Sequence, residues 1–116
     1  MGIHRLNPAG DQLEPSDLVP TEAFTTSDAT ELIHYAHLDE NSGISSGVWK
    51  CAPCREEIDA YPVNEMMTVI SGSVTITDDE GTPQTFSGGD TFFISKGTKC
   101  IWEITDTLHK FFMIAE

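Results

Sequence analysis

Hydrophobic and polar positions alternate in short bursts along most of the chain, and turn-forming residues separate the bursts. From Thr30 onward the dominant period is two, the spacing of a strand whose side chains point to opposite faces in turn. Thr30–His37 and Ser46–Cys51 flank Asn41-Ser42-Gly43, and Glu56–Tyr61 stops at Pro62. Glu65–Ile70 and Ser73–Thr77 flank Ser71-Gly72, which predicts a tight turn between two strands. Gln84–Phe86, Thr91–Ser95, Lys99–Ile104 and Leu108–Ile114 follow, set apart by Gly88-Gly89-Asp90, Gly97 and Asp106-Thr107. No window carries a convincing helical period. Short strands at such regular spacing predict an all-β sandwich or barrel.

Upstream of Thr30 the pattern breaks down. Pro8, Pro15 and Pro20 interrupt short apolar stretches. Residues 1–29 therefore read as an irregular arm wrapping the outside of a barrel formed by residues 30–116, with one helical turn near Thr21–Phe24.

Composition narrows the function classes. A chain of 116 residues is expected to form one domain. Its 19 acidic residues against 6 basic ones give a net charge of -13, which argues against nucleic acid or an anionic membrane as partner. The chain offers no apolar run long enough to span a bilayer and no apolar signal core at its start, so a cytoplasmic location is expected. Three cysteines, an odd number, argue against a disulfide framework. Cys51-Ala52-Pro53-Cys54 has the spacing of a redox pair, but no helix follows for it to cap, so a strand end and loop is the expected setting.

Two motifs carry a family resemblance. Glu65 is followed by six residues and then Gly72, and Gly89 is followed by five residues and then Ser95-Lys96-Gly97. At this separation they resemble the two motifs of the cupin superfamily, with serine in place of the second motif's proline. Gly47-Val48-Trp49 and Lys99-Cys100-Ile101-Trp102-Glu103 resemble, more narrowly, the small single-domain cupins of the ethanolamine-utilisation and ureidoglycine-aminohydrolase-like group. The resemblance covers about 70 residues and implies an antiparallel double-stranded β-helix, the RmlC-like jelly roll. Metal-binding cupins place histidines where this chain has Asp59, Tyr61 and Cys100, so the ligand set would be Asp59, Tyr61, Glu65 and Cys100, without an imidazole. Such a mixed set matches no common transition-metal site. No cofactor is expected, while an atypical divalent-metal enzyme using Glu65 and Cys100 stays open as an alternative.

The same residues define a candidate pocket. Period two places Cys100, Trp102 and Ile104 on one face, and Asp59 with Tyr61 on another. In the cupin register these converge with Glu65 inside the barrel. Glu65, Tyr61 and Asp59 are the catalytic candidates, two neighbouring carboxyls being a means of raising one pKa for acid–base work. Cys100, Trp102 and Trp49 are the ligand-binding candidates. The leading expectation is a cupin binding a small polar metabolite and catalysing metal-independent acid–base chemistry; the alternative is a non-catalytic binding or accessory module. The last strand, apolar on both faces near its end, adds the expectation of a homodimer.

Overall fold

The computed structural model describes residues 2–8 and 12–116. Eight strands follow one another: β1 (Glu14–Pro15), β2 (Glu31–Asp39), β3 (Ile44–Cys51), β4 (Cys54–Ile58), β5 (Asn64–Asp78), β6 (Pro83–Ser87), β7 (Thr91–Ile94) and β8 (Cys100–Ala115). A single 3-10 turn, Thr21–Ala23, lies between β1 and β2. All strand pairs are antiparallel, in the order β1-β2-β3-β8-β5-β6, with β4 also on β8 and β7 also on β5. This is the all-β jelly roll that the alternating pattern and the family resemblance imply.

Two of the expected turns prove to be bends inside long strands. β5 runs 15 residues through Ser71-Gly72, and β8 runs 16 residues through Asp106-Thr107. The two strands pair along their length, with register shifts between Val69 and Val74. Before the bend β5 pairs with β7 and the second half of β8; after it, with β6 and the first half of β8. Both strands thus pass from one layer of the roll to the other, as bulges allow. Gly72 is required there: its φ is +78°, and a Cβ on it would stand 1.9 Å from the carbonyl oxygen of Thr107.

The core sits between the layers. Met67, Val69, Val74, Ile104 and Leu108 are fully buried, each on the inward phase of its strand. On β2 a register shift between Tyr35 and His37 places His34 opposite Val48 and His37 opposite Ser46. Both histidines therefore share the outer face, although a spacing of three in a regular strand puts them on opposite faces.

Candidate functional site

One end of the roll opens into a cavity of about 780 Å³. Aromatic walls come from Trp49 on β3, Trp102 and Phe112 on β8, Tyr35 on β2, and Tyr61 in the loop between β4 and β5. Leu18 and Val19 complete the lining from the segment before β2. That segment therefore contributes to the interior as well as covering the barrel.

The polar centre is an ion pair. Lys110 follows the inward phase of β8, between buried Leu108 and Phe112, and only 4% of it is exposed. Its Nζ donates to Glu65 Oε2 at 2.9 Å and contacts Met67 Sδ. The ammonium also lies 4.7 Å from the centre of the Trp49 ring and 4.9 Å from that of Trp102, within reach of both π faces. Glu65 is the second residue of β5 and is 6% exposed; its other oxygen accepts the Tyr61 hydroxyl at 2.6 Å. Burial, and then the Glu65 carboxylate, push the Tyr61 phenol far above its ordinary value. Tyr61 is accordingly a fixed hydrogen-bond donor at neutral pH. It is seated by the second motif, since Tyr61 N–H donates to Thr98 O and Gly97 N–H donates to Tyr61 O, each at 2.8 Å. Gly97 turns there with φ +90°.

A second buried carboxylate, Glu31, ties the arm to the wall. It accepts from Trp49 Nε1 at 2.9 Å, from Ser16 Oγ at 2.7 Å and from Val19 N–H at 2.8 Å. Through these bonds Glu31 fixes the Trp49 indole and joins it to Val19, which lines the same cavity. Glu56, on β4 opposite Trp102, is half-buried in the same lining. Burial, then the charge of Glu31, raise its carboxyl above the usual range.

The candidates read from the sequence thus separate. Tyr61, Glu65, Trp49 and Trp102 meet in the cavity. Asp59 does not: β4 ends at Ile58, the period of two ends with it, and Asp59 is solvent-exposed. The neighbour of Glu65 is therefore an ammonium and not a second carboxyl. Cys100 is buried as expected, but it lines a smaller cavity of about 180 Å³ with Ile76 and Phe86. Lys110, Glu31 and Glu56 join the site without a motif to mark them. For Lys110 the signal was present, as the one base on the phase of Leu108 and Phe112 in an apolar strand. Nothing in the local pattern marks Glu31, at the start of β2, or Glu56, next to Glu57 in β4.

The donor set does not fit a resident metal. Asp59 points to solvent, Cys100 belongs to the other cavity, and both oxygens of Glu65 are taken by Lys110 and Tyr61. Among the described residues no group of three or more His, Cys, Asp or Glu side chains could hold a metal ion. Cys51 and Cys54 are free, fully buried thiols with their sulfurs 4.0 Å apart.

Comparison with known proteins agrees with this architecture. A Pseudomonas syringae pv. tomato protein of unknown function from the DUF861 family superposes with a TM-score of 0.84 at 24% identity, covering 95% of this chain and 46% of that one. The chain thus spans about half the length of that protein. The Clostridium difficile EutQ protein gives 0.68 at 20% identity, covering 88% and 79% of the two chains. An RmlC-like cupin from Shewanella frigidimarina gives 0.63 at 14% identity, covering 91% and 86%. At these identities the likeness is one of fold. No curated protein matches the chain, and among the described residues no helix is long and apolar enough to cross a membrane. The family profile described as the EutQ-like cupin domain matches residues 38–112, which span both motifs and the Lys110–Glu65–Tyr61 centre, and the chain belongs to that family.

Proposed function

We propose that this cupin domain binds a small metabolite in the 780 Å³ cavity without a resident metal. The observation that carries the reading is the Lys110–Glu65–Tyr61 centre inside aromatic walls. A few fixed polar groups in an otherwise apolar concavity are the ordinary build of a small-molecule site. Tyr61 and Lys110 are held in place before any ligand arrives, so little ordering cost falls on binding. The test is thermal shift against a metabolite panel, with native mass spectrometry of the purified protein. A bound compound should raise the melting temperature, by about 2.7 kcal/mol of stabilisation at a hundredfold excess over Kd. A panel without any shift, from a protein that also carries nothing, counts against the reading.

A catalytic second reading is favoured by one observation, the raised carboxyl of Glu56 within the cavity. A carboxyl raised by burial in a cleft is a candidate for proton transfer. The acid–base group would then be Glu56, with Tyr61 as donor, instead of the Glu65–Asp59 pair expected from the sequence. Glu56→Gln should abolish turnover of any substrate identified from the panel, while a variant of exposed Asp59 should not.

A further inference from the structure

The binding reading leaves the ligand's charge open, and the cavity's own composition bears on it. Three features combine. First, the walls are aromatic, and the face of an aromatic ring attracts cations. Second, the rings of Trp49 and Trp102 already face one cation, the almost fully buried ammonium of Lys110. Third, among the described residues Glu40, Glu56, Glu65 and Glu116 line the cavity against Lys110 as the single base.

Lys110 is neutralised by Glu65 at 2.9 Å. Among the described residues no base lies within ion-pair distance of the other three carboxyls. Glu40 and Glu116 stand at the exposed rim, where water screens them, and Glu56 is half-buried deeper in. The charge of Glu116 is felt at Tyr35. Burial raises the Tyr35 phenol first, and the charges of Glu116, Glu31 and Glu65 raise it further. Burial is the leading cause of the raised Tyr35, Tyr61 and Glu56 groups, and neighbouring carboxylates add to it in each case. A carboxylate or phosphate ligand would enter against uncompensated charge of its own sign, least screened at half-buried Glu56. A neutral ligand would leave that charge as it is.

We infer that the cavity takes a small organic cation, an amine or quaternary ammonium on a compact apolar body, with its charge toward Glu56 and the rim carboxylates and its body among the aromatic walls. The inference rests on the binding reading and adds to it the sign of the ligand. Lys110 does not compete for this place, because its positive charge is spent on Glu65. The apolar body supplies affinity through burial, and the carboxylates supply discrimination.

The chain has two tryptophans, Trp49 and Trp102, and both line the cavity, so intrinsic fluorescence reads this site directly. The probes are a matched trio of similar shape and different charge: cyclohexylammonium, cyclohexanol and cyclohexanecarboxylate, titrated into the wild-type protein at pH 7.5 and low salt. Cyclohexylammonium should saturate the fluorescence change at a concentration at least about tenfold below that of the carboxylate. Its affinity should weaken with added salt, and the alcohol's should not. Glu56→Gln, checked for folding by circular dichroism, should cost the cation about tenfold in affinity and leave cyclohexanol unchanged. Equal or tighter binding of the carboxylate, or a cation indifferent to Glu56→Gln, overturns the inference while the cavity reading stands. No response to any of the three probes overturns both.

Discussion

Lys110 and Glu65 lie on neighbouring strands but are not cross-strand partners: Lys110 stands opposite Val69 and Glu65 opposite Ile114. The lysine reaches back past Met67 to place Nζ 2.9 Å from Glu65 Oε2. Both side chains are more than nine-tenths buried, so each charge depends on the other to offset its lost hydration. Lys110→Met or Glu65→Gln alone should cost about 3–5 kcal/mol, because either change strands the remaining charge. The double variant should recover a large part of that loss. Urea denaturation of the four proteins measures the coupling, and simple additivity of the two single losses would contradict it.

Gly72 tests the bend. Its alanine variant sets a methyl group 1.9 Å from Thr107 O, against backbone that cannot move without breaking the β5–β8 ladder. Gly72→Ala should lose at least about 3 kcal/mol or fail to fold, in line with severe overpacking. Gly81, with φ +84° and open space around it, is the control; Gly81→Ala should cost only about 1–2 kcal/mol of backbone strain. Similar melting temperatures for the two variants would show that the close approach does not matter.

Acid should weaken the fold through His109. Its Nε2 is buried without a hydrogen-bond partner, and burial, then the nearby Lys50 charge, hold its pKa below the usual 6.5. An imidazole with a depressed folded pKa contributes stability above its unfolded pKa and loses it as pH falls from about 6.5 toward the folded value. Melting temperature should therefore drop across that window in the wild type, and His109→Phe should flatten the slope. Parallel slopes for the two proteins would assign the acid sensitivity elsewhere.

The outer face of the roll bears on assembly. Phe93, Met66 and Met113 sit side by side on β7, β5 and β8, and are 57%, 44% and 42% exposed. The adjoining row, Thr91, Thr68 and Phe111, is also uncharged. On a chain of net charge -13, two copies can meet there without bringing acids together. Light scattering should give twice the 12.7 kDa of one chain. Phe93→Glu combined with Met66→Lys should return it to a monomer. A monomeric wild type at micromolar concentration would remove the proposal.

Much of the architecture was legible in the chain itself. Period two, punctuated by glycines, marks the strands, because strand alternation and turn geometry are local properties, and the resemblance of the motifs at Glu65–Gly72 and Gly89–Gly97 to those of cupins implies the jelly roll. Alternation also carried Trp102 and Cys100 to the inward phase of β8. What local reasoning could not supply was which neighbours those inward residues meet. Ser71-Gly72 and Asp106-Thr107 read as turns, and only the pairing of β5 with β8 makes them facing bends in continuous strands. Asp59 reads as inward from the cupin register, which pairs it with Tyr61, whereas the inward phase of β4 runs through Cys54, Glu56 and Ile58 and leaves Asp59 off it. Lys110 and Glu65, 45 residues apart in the chain, become an ion pair only when the ladder brings their strands together. A buried charge is tolerable only beside its counter-charge, and tertiary structure alone decides where that counter-charge stands.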